Sequence, residues 1–254
     1  MKRDYILLLP EDASVVIASF AKQSRGICRF FWIASSPFEL LAMTTLRVFS
    51  ILISTVLLFT SAHATTSYPV DQKLYDLYPW SLTYYYGQTV SAPLVDVLKL
   101  KWHRWPEHLQ SLELAYVLEE DDPFRQLMSP LFGVVELALD TSIRYGANEN
   151  NIYEFNPYLI FRWANLPWNH VVTTSFAIGE GVSYDTSIPA IEKRQNTDTK
   201  RLLNFLMLEA TFADPNYPRL QLLLRIHHRS GAYGFYHAGN TGSNVVGAGL
   251  RYLF

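Results

Sequence analysis

Val135-Glu136-Leu137-Ala138-Leu139-Asp140-Thr141-Ser142-Ile143-Arg144-Tyr145 sets mostly apolar side chains at the odd positions against small or charged ones at the even positions. A period of two marks a β-strand with unlike faces, because successive side chains leave opposite sides of a sheet. From Tyr153 to Trp163 the odd face is Tyr153, Phe155, Pro157, Leu159, Phe161 and Trp163, while the even face carries Glu154, Asn156 and Arg162. Leu112, Leu114, Tyr116 and Leu118 alternate with Glu113, Ala115 and Val117. Leu220, Leu222, Leu224 and Ile226 alternate with Gln221, Leu223, Arg225 and His227, and Val246, Ala248, Leu250, Tyr252 and Phe254 with Val245, Gly247, Gly249, Arg251 and Leu253. The less regular segments Ser81–Gln88, His170–Tyr184 and Arg201–Phe212 bring the number of strands to eight.

The polar faces decide where these strands sit. Glu113, Glu136, Asp140, Glu154 and Glu209 stand against Arg144, Arg162, Arg225 and Arg251, one or two charges to a strand. A soluble sandwich or barrel turns its apolar face inward; nearly balanced opposite charges suit the polar lumen of a narrow barrel, where carboxylates and guanidinium groups pair. The expected fold is all-β: an eight-stranded antiparallel transmembrane β-barrel of the bacterial outer membrane, filled by side chains rather than open like a porin. With both barrel ends periplasmic, the connections near 91–108, 146–152, 185–200 and 231–242 face outward. The inward turns are then 119–131, 165–169 and 214–218. Pro157, which has no N–H to give a ladder, is expected at a bulge. Tyr84-Tyr85-Tyr86, Trp163 and Trp168 fit aromatic girdles. The closing Gly247-Ala248-Gly249-Leu250-Arg251-Tyr252-Leu253-Phe254 resembles the C-terminal strand signature of bacterial outer-membrane barrels.

Composition agrees. Only 17% of the 254 residues are charged, below the roughly 25% usual in soluble domains. The longest apolar run, Leu46 to Phe59, is short of the about 20 residues that a spanning helix needs. Arg47, that run and Ser61-Ala62-His63-Ala64 together have the form of a secretory signal with cleavage after Ala64. Because Met43 stands just before it, residues 1–42 are expected to be an over-extended N-terminus, 43–64 the signal peptide and 65–254 the barrel. The alternative is that 1–64 is an authentic leader or anchor, with Cys28 to Ile33 adding apolar length. Cys28 is the single cysteine, so the barrel region has neither a disulfide framework nor a thiolate metal site. Residues 65–254 hold fifteen Lys and Arg against nineteen Asp and Glu, which disfavours nucleic acid as a partner.

The segment that could carry chemistry is Arg225-Ile226-His227-His228-Arg229-Ser230-Gly231-Ala232, at the outer end of strand 7. Parity sends Ile226, His228 and Ser230 to the lipid side and Arg225, His227 and Arg229 inward. His228 and Ser230, two residues apart on one face, meet the geometric need of a serine nucleophile with a histidine base. Adjacent His227 and His228 point oppositely and cannot easily grip one metal ion. Polar residues at an outer rim also serve as simple headgroup contacts. Arg229 is expected inside, although at the rim it could reach a lipid phosphate.

On these residues the chain resembles a divergent member of the lipid A 3-O-deacylase family, outer-membrane acyl hydrolases. That family has His-x-Ser on the penultimate strand, then Asn-Ala, then a Glu at the start of the last strand; here the match is His228-Arg229-Ser230, with Gly231-Ala232 in place of Asn-Ala. The resemblance implies a serine-type esterase without a cofactor, taking lipid A or lipopolysaccharide from the outer leaflet. Ser230 would be the nucleophile, His228 the base and Asn244, by spacing, the residue that orients the imidazole. Asn244 replaces a carboxylate, and no Asp or Glu follows Asp214; an Asn carbonyl can hold a histidine but lacks the charge that stabilises imidazolium. Gly231 removes a side-chain amide that could bind the oxyanion, leaving backbone N–H groups for that role. The competing class is a non-catalytic structural or interaction barrel in the outer membrane, and a soluble lipid-binding barrel is third.

Other candidates have plainer explanations. His103 and His108, near Trp102 and Trp105 in the expected first outer loop, read as interface anchors. Glu119-Glu120-Asp121-Asp122 reads as a solvated turn, with a loose divalent-cation site as the other use. Gly239-Asn240-Thr241-Gly242 neither follows a strand nor opens a helix, as a phosphate cradle would require.

Overall fold

The computed structural model describes residues 70–254 apart from Asn148; the expected leader, 43–64, and the segment 1–42 lie outside the described residues. Eight antiparallel strands form a closed barrel in which each strand pairs with the next and β8 with β1. They are β1 (Trp80–Ser91), β2 (His103–Val117), β3 (Val134–Gly146), β4 (Glu149–Trp163), β5 (Thr173–Asp185), β6 (Leu202–Ala213), β7 (Leu220–Ser230) and β8 (Gly242–Leu253). Partners traced round the wall run Trp80, Tyr116, Leu137, Leu159, Glu180, Leu206, His228, Asn244 and back to β1 at Val90, a climb of ten residues per circuit. The wall is therefore strongly sheared, which tilts the strands and sets a bore that side chains can fill.

Burial follows the expected parity. Leu82, Tyr84, Leu112, Leu114, Leu137, Leu139, Phe155, Leu222, Leu224 and Leu250 are exposed on the outside, while Glu113, Glu136, Asp140, Glu154, Arg162 and Arg251 are buried within. An apolar band turned outward is stable only against lipid, and ring closure satisfies every strand edge there. The protein is thus an outer-membrane β-barrel. Trp80 and Tyr116 (ring centroids 4.8 Å apart) and Phe132 and Trp163 (4.7 Å) build a girdle at the end that also carries Phe254. Tyr86, His108 and Tyr145 stack at the other end.

The lumen is a filled polar core in two tiers. Nearer the end with Trp80, Arg162 meets Glu136 at 2.6 Å and Glu209 at 3.0 Å, Arg225 meets Glu113 at 2.6 Å, and Arg251 pairs with Glu136. Nearer the outer end, Arg144 meets Glu154 at 2.7 Å and Glu107 at 3.1 Å, and His227 meets Glu154 at 2.6 Å. Tyr158, Phe205 and His227 stack edge-to-face between the tiers. Helix α1 (Val70–Leu77) brings Tyr75 under the lower tier, with its hydroxyl 3.3 Å from Ser175 and its ring 5.5 Å from both Arg162 and Arg251. Gly247 makes room in the wall, since a Cβ there would collide with the Tyr86 carbonyl oxygen.

Several expectations are corrected. Tyr85 is not in a girdle: it points into the lumen, fully buried, and its hydroxyl bonds the Val245 carbonyl at 3.1 Å. Pro157 is not at a bulge, because the β4–β5 register is the same on either side of it; pairing is simply missing at Asn156 and Pro157, where Pro has no N–H to offer. The expected loop 146–152 is mostly strand, since Gly146 (φ 104°) and Ala147 (φ 54°) turn the chain back at once. The expected loop 91–108 shrinks because β2 begins at His103, so His103 and His108 are strand residues; α2 (Leu94–Leu98) lies in what remains. The acidic turn has a structural role, because Asp122 caps α3 (Pro123–Met128) by accepting from the Phe124 and Arg125 N–H groups at 2.8 and 3.1 Å.

Candidate functional site

β7 and β8 bring the sequence-identified residues to one patch on the outside wall. His228 and Asn244 are direct cross-strand partners, and Ser230 lies two residues further along β7, opposite Gly242. His228 Nδ1 is 2.7 Å from Asn244 Oδ1. The amide orientation is fixed by its other end, because Asn244 Nδ2 donates to the Ala92 carbonyl at 2.7 Å. A carbonyl oxygen facing Nδ1 requires that nitrogen to carry the proton, which leaves Nε2 as the basic atom. Asn244 is buried, with 4% of its surface exposed, whereas His228 and Ser230 are half-buried. Among the described residues no hydrogen bond joins His228 to Ser230. Such bonds are often long in empty sites and tighten around substrate.

His227 and Arg229 go to the lumen, as parity requires. Arg229 is fully buried, 2.5 Å from Asp185, 3.1 Å from Glu192 and 2.8 Å from Ser183. It is therefore a lumen charge, out of reach of a lipid phosphate outside. Glu192 belongs to α4 (Ala190–Gln195), a short helix of the β5–β6 connection whose buried carboxylate also accepts from Ser243 at 2.8 Å. This ties the outer connection to the strand that carries Asn244.

The chain after Ser230 is strained. Gly231 N–H is taken by the Thr241 carbonyl at 3.0 Å, so this backbone donor, one of those expected to serve an oxyanion, is already committed. Ala232 follows at φ 44°, a left-handed conformation that costs a residue with a Cβ about 1–2 kcal/mol. Gly242, across from Ser230, is forced by close approach: a Cβ there would collide with the Arg229 carbonyl oxygen. No side chain therefore projects from β8 at the position across from Ser230.

Two neighbours escape a reading of the sequence by motif. Asn204 on β6 is the direct cross-strand partner of Ser230, and Glu180 on β5 shares the row of Leu206 and His228. The Asn204 side chain makes a polar contact with the Glu180 carboxylate. Among described strand side chains, Glu180 is the one carboxylate on the outward face, and an ionisable group facing lipid is costly. Its signal is present in the sequence: Phe176, Ile178, Val182 and Tyr184 share its parity.

Comparison with known proteins adds the fold's company. No family profile and no curated protein matches the chain. Among solved structures it is similar to the outer membrane enzyme PagL, with 14% identity over 68% of this chain and 99% of that one and a TM-score of 0.43. It is also similar to Neisserial surface protein A, NspA, with 10% identity over 69% and 96% of the two chains and a TM-score of 0.39. The N-terminal β-barrel domain of Pseudomonas aeruginosa OprF gives 13% identity over 69% and 98% with a TM-score of 0.39.

Proposed function

We propose that this barrel is a serine-type ester hydrolase acting on lipid A in the outer leaflet. The observation that carries the proposal is the outward His228, held at Nδ1 by an Asn244 whose orientation is itself fixed, so that Nε2 is the base on the face that also bears Ser230. Ser230 Oγ attacks the 3-position acyl carbonyl as His228 Nε2 takes its proton. The tetrahedral intermediate collapses with the proton returned to the leaving sugar oxygen, giving an acyl-serine. Water, deprotonated by the same imidazole, then releases the fatty acid. No cofactor enters these steps. Residues 43–64 serve as the export signal, cleaved after Ala64.

Mass spectrometry of lipid A from cells expressing the protein tests the proposal. Loss of the 3-position acyl chain is expected, together with its retention in a Ser230→Ala variant that still forms a heat-modifiable barrel. Unchanged lipid A beside correctly inserted wild-type barrel refutes it. A second reading, a non-catalytic structural or interaction barrel, is favoured by one observation: the partner of His228 is a neutral amide rather than a carboxylate.

A further inference from the structure

We infer that Asn204 donates the hydrogen bond that holds the carbonyl oxygen of the ester as Ser230 attacks, and that Glu180 positions the Asn204 amide to do so. Asn204 has this role only if Ser230 is the nucleophile proposed above. When Oγ bonds to the acyl carbon, the carbonyl π pair moves onto oxygen and the proton passes to His228 Nε2, so a donor must face that oxygen. The two groups nearest in sequence do not serve. Gly231 has no side chain, and its N–H already bonds the Thr241 carbonyl.

Asn204 stands across from Ser230 on the outward face of β6, and directly opposed side chains on neighbouring strands have Cβ atoms about 5 Å apart. Its amide has two N–H donors. Glu180 and Asn204 are diagonal neighbours across the β5–β6 ladder, and a carboxylate, when ionised, only accepts, so Glu180 engages one N–H of the amide. The second N–H remains for a ligand on the Ser230 side. Accepting the first also polarises the amide and strengthens the second donor.

The surrounding wall is shaped for such a ligand. Val182, Asn204, Ser230 and Gly242 form one row of outward partners, and Glu180, Leu206, His228 and Asn244 form the next. Gly242 puts no side chain on the β8 side of Ser230, Asn204 stands on the β6 side, and Leu206 provides an apolar position between Glu180 and His228. Glu180 sits two strand spacings, about 10 Å, from His228 along that row, too far to replace the carboxylate missing from the last strand. In the connection 231–241, burial and then the Glu180 carboxylate raise the Tyr236 phenol above its ordinary value. A costly lipid-facing carboxylate, an amide in contact with it and the serine across from that amide are thus explained together.

A fluorophosphonate probe tests this without knowledge of the natural ester, because its phosphoryl oxygen occupies the oxyanion position after it reacts with serine. The detergent-folded, heat-modifiable barrel is compared as wild type, Asn204→Ala, Glu180→Gln and the double variant, with near-isosteric Asn204→Leu used if the alanine form does not fold. Wild type is expected to label at Ser230, and Asn204→Ala to label about 10²-fold more slowly. Glu180→Gln should label about 10-fold more slowly, with kcat on a p-nitrophenyl ester falling in step and KM unchanged. The double variant should be no slower than Asn204→Ala alone, since Glu180 acts through Asn204. Labelling of Asn204→Ala and Asn204→Leu at the wild-type rate overturns the inference and leaves the Ser230–His228 reading standing. Additive losses in the double variant overturn the positioning role of Glu180. A wild-type barrel that the probe does not label overturns the hydrolase reading and this inference with it.

Discussion

Asn244→Asp asks how much the missing charge beside His228 costs. In the wild type the imidazole is held by a neutral oxygen at 2.7 Å, so the imidazolium formed during attack gains a dipole but no counter-charge. An aspartate at the same place puts a unit charge about 4 Å from the ring, worth about 4 kcal/mol at an effective dielectric constant near 20. Two costs oppose it. The Nδ2 bond to the Ala92 carbonyl becomes a contact between two acceptors, worth about 1–3 kcal/mol and able to turn the carboxylate away from the ring. Desolvation at this buried position is borne on folding, not on the barrier. The balance predicts a barrier lower by about 1–3 kcal/mol, a roughly 5- to 150-fold rise in kcat, together with a barrel less stable by about 1–3 kcal/mol. Ester turnover by the refolded variant measures the first and urea-induced unfolding in detergent the second. A fully inserted Asn244→Asp barrel with unchanged or lower kcat refutes the idea that imidazolium stabilisation limits this site.

Three further outcomes are expected. Glu209 serves Arg162 and Arg225 within 3.0 Å; Glu209→Ala should lower unfolding stability by about 3–5 kcal/mol and Glu209→Gln by clearly less, since one partner of a buried set is removed in the first and only its charge in the second. Equal stability of all three proteins in urea titrations would remove the lumen network from the account. Tyr75→Ala deletes a buried ring lying near two guanidinium groups and should cost about 3–5 kcal/mol by the same titration, whereas a plug that contributes nothing leaves the midpoint unmoved. N-terminal sequencing of the exported protein should read Thr65-Thr66-Ser67, and a mature terminus upstream of Met43 would discard both the expected start site and the signal.

Alternation makes most of the wall legible. It assigns Leu137 and Leu139 to lipid, and Glu136 and Asp140 to the lumen, because a strand in a closed barrel has only those two faces. It also puts His228 and Asn244 on the same outward side, and pairing of consecutive strands makes them neighbours. Alternation is silent wherever a side chain returns from a connection. Glu192 enters the lumen from α4 and Tyr75 from α1, and neither element follows a period of two. Tyr85 is easily misplaced because three consecutive tyrosines look alike, yet a strand must send the middle one the other way. Glu180 is readable in principle as an acid on the greasy side of β5. It escapes notice because that segment's glycines, Gly179 and Gly181, blur the pattern around it.

The bond from Asn244 to Ala92 crosses the seam where the last strand meets the first. That seam exists only once the barrel has closed, so the base at His228 gains its fixed orientation in the final act of assembly. A chain still in transit, or one whose last hairpin has slipped by a residue, turns His228 to the wrong face or leaves it unsupported. On the hydrolase proposal, the protein is latent until inserted and its activity is confined to the membrane in which it folds.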